Sequence, residues 1–420
     1  MNPEECLFMR IAVVDLLFSW PPHGGADVDV YYVMQELMRL GYDTHLFVTA
    51  EEGSWERGDI RDGALPFPVT LLELGEQGLT EAFLHNRLYE AVAGFSPDIV
   101  FLTQGYFLKT ALIEALKGYP IISRCYAHEL SCHKDILRFR EGTPCPHCYV
   151  ESPDICRRCA LASQRESLFA GTAHAWTREY VESRAWTKDY YSRFKKAMAQ
   201  CSKVIVTTEH MRAPVELLTK EIAVIPNGVD IRRFLPSPDR AGRPVPVLFV
   251  PGRIEDPAKG FSLFLEAAEK VSGSGIAFEV RATLPEGYEG PPWLKAVGKL
   301  DYDSMPQAYR NTDICVVPSL WEEPFGLVAL EAMASGIAVC ASRTGGLQDI
   351  VVHGETGFLF ERGNSRALAA CLERLLEDRH LCAAMGARGR QRAEDVYDWE
   401  HIVSAYYPPL LDEISRMKQR

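Results

Sequence analysis

The chain has 420 residues, of which 47% are apolar and 24% are charged, and its formal net charge is −12. This length exceeds what one hydrophobic core usually supports, so two domains are expected, and the negative charge argues against general nucleic-acid binding, which needs a cationic face. No apolar run is long enough to span a membrane, and the N-terminal stretch lacks the pattern of a secretory signal, so we expect a cytoplasmic protein.

Short β-branched runs alternate with helical patterns along the whole chain, which is typical of buried parallel strands separated by helices. The two successive β/α series predict two doubly wound, Rossmann-like α/β domains facing a central cleft, where ligands would meet the carboxyl ends of the strands. The predicted strands cover 11–16, 44–48, 98–102, 120–125 and 203–208 in the first series, and 245–251, 277–282, 313–319, 338–342 and 357–361 in the second.

The predicted domains are 1–235 and 236–398, with the Pro- and Arg-rich stretch 232–246 as the linker. Residues 399–420 form a C-terminal helical segment that we expect to pack back on the first domain. Pro408 and Pro409 predict a break or kink in that segment.

A glycine pair, Gly24 and Gly25, follows the first predicted strand. Without side chains, the backbone there can approach a diphosphate closely. Two Asp-x-Asp runs, Asp27/Asp29 and Asp301/Asp303, have a spacing that can bind Mn²⁺ or Mg²⁺. Acids at a helix start explain the first run better than a metal, and a helix cap at Asp303 or Ser304 explains the second run better.

A cysteine-rich insertion near 130–165 contains two Cys-x-x-Cys pairs separated by seven residues, with Cys132, His133 and His147 as substitute ligands. Four thiolates at this spacing can close a tetrahedral Zn²⁺ site, which would be structural because no coordination position stays open. An iron–sulfur cluster and metal-free thiols are the alternatives. The four predicted ligands are Cys145, Cys148, Cys156 and Cys159.

Basic and aromatic residues alternate in the segment 184–196. Such a segment suits peripheral contact with an anionic membrane, at the inner face of the membrane in this case. The alternative is an amphipathic helix that packs beneath the first domain.

The stretch 318–336 combines a strand end with a helix that we expect to begin at Pro324 and to end at Gly336. Glu323 would then stand at the helix N-terminus, where backbone N–H groups suit a phosphate or a sugar hydroxyl, and Glu331 about two turns into the helix. Taken singly, each glutamate also fits a solvated surface acid.

The stretch from Glu323 to Phe360 resembles the donor-binding signature of retaining GT-B glycosyltransferases of family 4, the group 1 glycosyl transferases. The resemblance implies that Glu323 contacts donor sugar hydroxyls and that Glu331 contacts the ribose. It also places Phe325, Gly326 and Leu327 against the nucleotide sugar.

Further segments extend the resemblance. Arg253 and Lys259, in a Gly-Arg and Lys-Gly segment after a strand, would neutralise the diphosphate leaving group. Gly345 and Gly346 form a second loop near the donor, and Asp349 stands where family members commonly have Glu. The loop at 21–37 and the crossing segment 225–234 match as well.

His128 follows the predicted strand 120–125 and resembles the family's His-Asp pair, with Glu129 in place of the acid. In that family the histidine lies close to the transferred sugar. A single histidine at a strand end is more often an ordinary polar loop residue, so its role depends on the resemblance.

The resemblance implies a retaining enzyme that moves a sugar from a nucleoside-diphosphate donor to a hydroxyl of a sugar, polysaccharide or lipid-linked acceptor, with no catalytic cofactor. The alternatives are a non-catalytic nucleotide-sugar-binding subunit of a synthase complex, and an epimerase or phosphorylase on the same fold. The donor base, the sugar and the acceptor are left open by these motifs.

Overall fold

The computed structural model describes residues 9–51, 57–75 and 78–418, which divide into two compact units. The first unit comprises the described residues up to Arg138, Pro146–Ile225 and the segment from Ile402 onward. The second comprises Phe139–Cys145 and Pro226–His401. The chain therefore enters the second unit ten residues before the predicted boundary at 235.

The first unit is built on a seven-stranded parallel sheet with the spatial order β3-β2-β1-β4-β5-β8-β9. Its central strands are buried along their length, as expected for a parallel sheet covered on both faces. The strands of the first part of the chain, including the antiparallel ribbon β6-β7, are β1 (Arg10–Asp15), β2 (Asp43–Ala50), β3 (Val69–Glu73), β4 (Ile99–Leu102), β5 (Ile121–Arg124), β6 (Phe139–Arg140), β7 (Thr143–Pro144), β8 (Lys203–Val206) and β9 (Ile222–Val224).

Helices fill the connections between these strands. A π-helical turn, Leu84–Leu88, joins two of them, and a 3₁₀ turn, Tyr106–Leu108, precedes another. The helices are α1 (Gly25–Arg39), α2 (Glu81–Phe83), α3 (Tyr89–Phe95), α4 (Lys109–Ala115), α5 (Pro153–Phe169), α6 (Ala175–Glu182), α7 (Lys188–Gln200) and α8 (Glu209–Val215).

The second unit is built on a six-stranded parallel sheet with the order β12-β11-β10-β13-β14-β15. Neighbouring residues of its central strand point to opposite faces: Leu248 and Val250 belong to one buried cluster and Phe249 to another. The strands are β10 (Val247–Val250), β11 (Glu279–Ala282), β12 (Leu294–Ala296), β13 (Ile314–Val317), β14 (Ala338–Ser342) and β15 (Gly357–Phe360).

The helices of this unit lie on both faces of its sheet. Two 3₁₀ turns, Pro238–Gly242 and Pro257–Lys259, precede the first of them. The remaining helices are α9 (Phe261–Gly273), α10 (Met305–Arg310), α11 (Leu327–Ala334), α12 (Leu347–Ile350), α13 (Ser365–Glu377), α14 (Arg379–Tyr397) and α15 (Trp399–Lys418).

All ten predicted strands are present, whereas the edge strands β3, β9 and β12 had not been predicted. The three edge strands are short, and only one of their residues, Leu72, is buried. An edge strand needs no continuous apolar run, because one of its sides has no neighbouring strand and its faces are less covered.

The C-terminal helix α15 continues through Pro408 and Pro409, so the predicted break is wrong. From Ile402 the helix belongs to the first unit, where Tyr407 packs edge-on against Phe101 with 6.0 Å between ring centroids. Glu413 forms an ion pair of 2.9 Å with Lys203. These two contacts hold the helix against the first unit on both sides of its prolines.

Candidate active site

Three loops meet at the carboxyl edge of the second sheet, because β10, β13 and β14 are neighbours in it. The N–H of Leu320 donates to the carbonyl oxygen of Ala258 at 2.8 Å, and the N–H of Gly346 donates to that of Glu323 at 2.7 Å. A Cβ atom on Gly345, which has a φ of +48°, would lie 2.1 Å from the Glu323 carbonyl oxygen. The loops therefore approach more closely than a side chain at this position allows.

The carboxylate of Glu323 lies in the middle of this arrangement and is only 6% exposed. Its Oε1 atom accepts a hydrogen bond from Lys259 Nζ at 2.9 Å and another from Ser319 Oγ at 2.6 Å. The Lys259 ammonium also lies 4.6 Å from the centre of the Trp321 ring. Each partner comes from a loop that the sheet order brings together.

Burial and these partners have opposite effects on the pKa of Glu323. Burial raises it, but the charge of Lys259 and the bonds from Ser319 and Trp321 outweigh burial, so the pKa lies below its usual range. Glu323 is therefore an ionised hydrogen-bond acceptor at neutral pH, and the solvated-surface interpretation is wrong for it.

The second glutamate, Glu331, lies on α11. Its Oε2 atom is 3.0 Å from the hydroxyl of Tyr309, which is fully buried. Burial raises the pKa of Glu331 to about 7, against the smaller opposing effects of the Tyr309 bond and the charge of Arg233. Its protonation state thus changes near neutral pH.

The helix that carries Glu331 begins at Leu327 rather than at the predicted Pro324, so Glu331 lies little more than one turn into it. Gly326 precedes the helix with a φ of +119°, and a Cβ there would lie 2.6 Å from Leu347. Phe325 is buried and packs against Tyr397 at 6.0 Å between ring centroids. Its side chain therefore holds the loop in the core, and its contribution to a ligand would come from the backbone.

Arg253 follows β10 in the same group of loops and is exposed. Within the described ranges it forms no ion pair, in contrast to Lys259. An exposed, unpaired guanidinium at the carboxyl edge of the sheet suits an anionic ligand.

In the first unit, the glycine pair lies where β1 leads into α1. Gly24 is the N-cap of the helix in an extended conformation, and a Cβ on it would contact nothing within 4 Å. The N–H groups of His23 and Gly24 donate to Asp27 Oδ2 at 2.9 and 3.1 Å. This part of the protein does not itself require a glycine at 24.

The carboxylates of the first Asp-x-Asp run are occupied by protein groups. Asp27 Oδ1 accepts from Gln104 at 2.9 Å, and burial together with nearby Asp15 raises the pKa of Asp27 to about 7. Asp29 forms a fully buried ion pair of 2.6 Å with Arg124. The dipole explanation for Asp29 is therefore incomplete, since it is the counter-ion of a buried arginine.

In the second run, the capping role belongs to Asp301, which accepts the N–H of Ser304 at 2.8 Å. Ser304 occupies the N-cap position of α10 but makes no side-chain capping bond. Asp303 instead forms an ion pair of 3.0 Å with Arg233. Of the two predicted caps, Ser304 is therefore confirmed in position, although its side chain makes no capping bond, and Asp303 is not the cap.

His128 lies in the loop after β5 and is 6% exposed. The adjacent Glu129 accepts hydrogen bonds from the N–H groups of Tyr126 and Ala127 and lies 3.7 Å from Lys109 Nζ. Glu129 thus fastens the turn that carries His128. The catalytic role of His128 stays a prediction.

Comparison with known proteins bears on the second unit. Residues 240–392 match the family model described as glycosyl transferases group 1, and that range contains Arg253, Lys259, Glu323 and Glu331. Over residues 240–392, the second unit is thus similar to the group 1 glycosyl transferases.

Relatives in this family are similar over part of their length. The phosphatidyl-myo-inositol mannosyltransferase of Mycolicibacterium smegmatis is 32% identical over 231 residues, which are 51% of this chain and 57% of that protein. The D-inositol 3-phosphate glycosyltransferase of Geodermatophilus obscurus is 33% identical over 228 residues, 47% of this chain and 49% of that one. The chain spans about half the length of the curated relatives it matches.

Solved structures match nearly the whole chain at low identity. Sucrose-phosphate synthase of Thermosynechococcus elongatus aligns with a TM-score of 0.66 and 20% identity, covering 98% of this chain and 99% of that one. Anabaena HepE in complex with UDP and glucose aligns with a TM-score of 0.65 and 18% identity, covering 96% and 100%. The predicted GT-B fold is confirmed.

The four predicted zinc ligands, Cys145, Cys148, Cys156 and Cys159, form no disulfide bonds. Cys156 and Cys159 lie one turn apart on α5, and Cys148 is buried. In residues 9–51, 57–75 and 78–418, no three His, Cys, Asp or Glu side chains come together as a metal site would require. The structure thus gives zinc no support, and the zinc site stays a prediction.

The suggested substitute ligand His133 is a core residue. Its ring stacks on Tyr149 with 3.4 Å between centroids, and burial lowers its pKa to about 3. It is edge-on to Phe107 as well, at 4.9 Å. These contacts make it part of an aromatic cluster beneath α7.

The segment 184–196 favours packing over membrane contact. Tyr190 and Phe194 on α7 are buried, and Arg193 forms ion pairs with Glu81 and Glu114. Across the described portion of the chain, no helix combines the length and apolarity needed to span a bilayer.

Sequence reasoning had missed several residues that complete the site. Ser319 and Trp321 hold Glu323 and Lys259, and Tyr309 holds Glu331. Glu322 pairs with Arg362 and accepts the N–H of Gly345 at 3.1 Å, which fixes the second glycine loop. The one available signal was position: Ser319 ends a predicted strand, and Trp321 and Glu322 follow it directly.

Proposed function

We propose that the chain is a retaining glycosyltransferase that moves a sugar from a nucleoside-diphosphate donor to an acceptor hydroxyl. The observation that carries this proposal is the Lys259–Glu323–Ser319 arrangement, which puts an ionised carboxylate and a cation side by side at one edge of the sheet. A donor of this class carries sugar hydroxyls and a diphosphate, which need an acceptor and a cation respectively.

The proposed roles of the two glutamates are those that the family resemblance implies, and the proposed roles of the two cations follow from their charge. Glu323 accepts hydrogen bonds from donor sugar hydroxyls, and Glu331 accepts them from the ribose. Lys259 and the exposed Arg253 stabilise charge as it develops on the departing diphosphate, which lowers the barrier electrostatically. The positive field thus comes from side chains and needs no divalent cation.

Retention of configuration requires either a covalent intermediate or same-face substitution. Both carboxylates of the second unit's site have other partners: Glu323 pairs with Lys259, and Glu331 lies against Tyr309. We therefore favour same-face substitution. The bond from the anomeric carbon to the diphosphate oxygen breaks, the acceptor oxygen bonds to that carbon, and the acceptor proton passes to a departing phosphate oxygen.

The first unit is assigned the acceptor, with His128 close to the transferred sugar and the loop at Gly24 and Gly25 close to the diphosphate. The names of relatives include inositol compounds, and those of solved structures include complexes with UDP and with glucose. These names support a nucleotide-sugar donor. The proposal further includes a sugar, polysaccharide or lipid-linked acceptor, in the cytoplasm or at its membrane face.

The test is a thermal-shift screen of UDP-, GDP- and ADP-sugars followed by an assay for release of the nucleoside diphosphate. A true donor binds only the folded state and raises the melting temperature. Donor turnover that is lost in Glu323→Gln and insensitive to EDTA supports the proposal. Binding without turnover toward any acceptor or water would instead indicate a non-catalytic subunit, and absence of any donor shift rejects the assignment.

A further inference from the structure

Arg233 makes three contacts with one loop of the second unit, the loop that leads from β12 to α10. It lies on the segment that enters this unit, and its guanidinium stacks 3.9 Å from the centre of the Tyr302 ring. Its Nη2 atom donates to the Tyr302 carbonyl oxygen at 2.7 Å and to Asp303 Oδ1 at 3.0 Å. One side chain thus fixes the ring, the backbone and the carboxylate of the loop that leads from β12 to α10.

The same guanidinium acts on Glu331. The carboxylate of Glu331 is hydrogen-bonded to Tyr309 on α10, the helix that follows the Tyr302–Asp303 loop, and its charge interacts with Arg233 and with Cys315 on β13. Tyr309 and Cys315 are neutral at physiological pH, since burial raises the pKa of each above its ordinary value. Arg233 is therefore the permanent charge among these groups, and it favours the ionised form of Glu331.

We propose that Arg233 is a positioning residue of the donor site: it fastens the Tyr302–Asp303 loop, which leads into the helix whose Tyr309 is hydrogen-bonded to Glu331, and it keeps that carboxylate ready to accept hydrogen bonds from the nucleoside. The inference rests on the proposed function, because it assumes that Glu331 receives the ribose. It goes beyond the donor signature, since Arg233 lies outside the stretch from Glu323 to Phe360.

Arg233 suits this role better than a lysine would. The planar guanidinium stacks on Tyr302 and at the same time donates two hydrogen bonds from one nitrogen. An ammonium would keep the charge but not the stacked geometry. Charge and geometry can therefore be separated by substitution.

The experiment is calorimetric titration of the full chain with UDP, GDP and ADP, each alone, from about pH 6 to about pH 9. In the wild type, the affinity for the matching nucleotide should rise with pH through about 7, as Glu331 ionises. Arg233→Met should weaken binding about tenfold at neutral pH and move the midpoint of the pH dependence upward. Arg233→Lys should weaken binding less and leave the midpoint nearly unchanged.

Arg232→Met is the matched control. Arg232 is the neighbouring arginine, its side chain is 74% exposed, and its only recorded ion pair in the described chain is a 3.8 Å contact with Asp230. The control should bind as the wild type does, with the same midpoint. If Arg233→Met does not fold, Asp303→Asn provides the second variant, because it removes one anchor of the loop and should weaken binding by a few-fold.

The outcomes separate the two proposals. If the wild type binds a nucleotide and Glu331→Gln binds it weakly and without pH dependence, but Arg233→Met matches the wild type in affinity and midpoint, only the inference on Arg233 is overturned. If Glu331→Gln binds as the wild type does, or no nucleotide binds, the proposed donor site fails and the inference fails with it.

Discussion

Substitution of Lys259 by Met removes the cation that faces the buried carboxylate of Glu323 at 2.9 Å. Removing one partner of a buried pair typically destabilises a protein by about 3–5 kcal/mol. The Lys259 side chain is 20% exposed, so water offsets part of that loss and we expect the lower end, about 3 kcal/mol.

The effect on catalysis is separate from the effect on stability. Loss of one group that stabilises the departing diphosphate should remove about 2–4 kcal/mol of transition-state stabilisation. This corresponds to a fall in kcat/KM of about 30-fold to about 1000-fold. Arg253→Ala should give a loss in the same range with little effect on stability, because Arg253 is exposed.

The assays are denaturant unfolding and steady-state turnover of the donor identified by the thermal-shift screen. The matched control is Lys270→Met on α9, where the lysine is 38% exposed and pairs with an exposed Glu266. The control should lose less than about 1 kcal/mol of stability and keep its turnover. Both variants lose one positive charge, but only Lys259→Met leaves a buried carboxylate without its partner. The difference in unfolding free energy between them therefore measures the effect of that burial.

The pH dependence has a defined sign. In the wild type the folded-state pKa of Glu323 is lowered, so its contribution to stability is present above the unfolded pKa and is lost as pH falls through the folded value. In Lys259→Met, burial is unopposed by that charge and the pKa rises. The destabilisation should therefore be largest near neutral pH and shrink as acid protonates Glu323.

The double variant Lys259→Met/Glu323→Gln tests the coupling. Removing the charge on Glu323 as well should recover part of the lost stability without recovering turnover. Near-normal turnover in both single variants, Lys259→Met and Arg253→Ala, would refute the assignment of these residues to the diphosphate. Equal destabilisation of Lys259→Met at neutral and acidic pH would refute the electrostatic account of its stability.

Three further outcomes are expected. Gly260→Ala should destabilise the second unit by about 2 kcal/mol or more, because residue 260 has a φ of +70° and its Cβ would lie 2.0 Å from the Pro318 carbonyl oxygen. The control is Gly273→Ala. A Cβ at residue 273 has nothing within 4 Å, so this variant should leave the melting temperature unchanged or raise it. Phe325→Ala should cost about 3–5 kcal/mol of unfolding free energy, whereas Phe169→Ala, at a side chain that is 85% exposed, should cost less than about 0.5 kcal/mol. Elemental analysis of protein purified without chelators should find about one zinc per chain, bound by the four predicted cysteine ligands. That prediction is rejected if the protein is metal-free and its stability is unchanged when all four cysteines are replaced by serine.

Much of the fold was contained in local patterns. Continuous apolar runs are required wherever a parallel strand is covered on both faces, so the nine central strands and the buried edge strand β15 could be located from the sequence. The edge strands β3, β9 and β12 could not, because their faces are mostly uncovered and only one of their residues is buried. The break predicted at Pro408 and Pro409 was wrong because tertiary packing of α15 overrides the local helix-breaking preference of proline.

The candidate site divides in the same way. The family resemblance marked Glu323 and Glu331, since the motif and the separation of the two glutamates can be read from the chain. What each glutamate contacts was decided by tertiary structure. Sheet order brings Lys259 to Glu323 across 64 positions, and it brings Tyr309 to Glu331. Burial raises the pKa of both carboxylates, but the net shifts are opposite, because Glu323 has a cation beside it that outweighs burial and Glu331 has mainly a neutral hydroxyl.

The sequence by itself determined two α/β units and the residues of the donor signature, because periodicity and motif spacing are local properties. Only the tertiary structure decided which loops touch, that Gly260 and Gly345 cannot carry a side chain, and that Arg233 and Asp29 are ion-paired rather than solvated. These facts depend on distances between residues far apart in the chain, which the packing of sheets and helices sets.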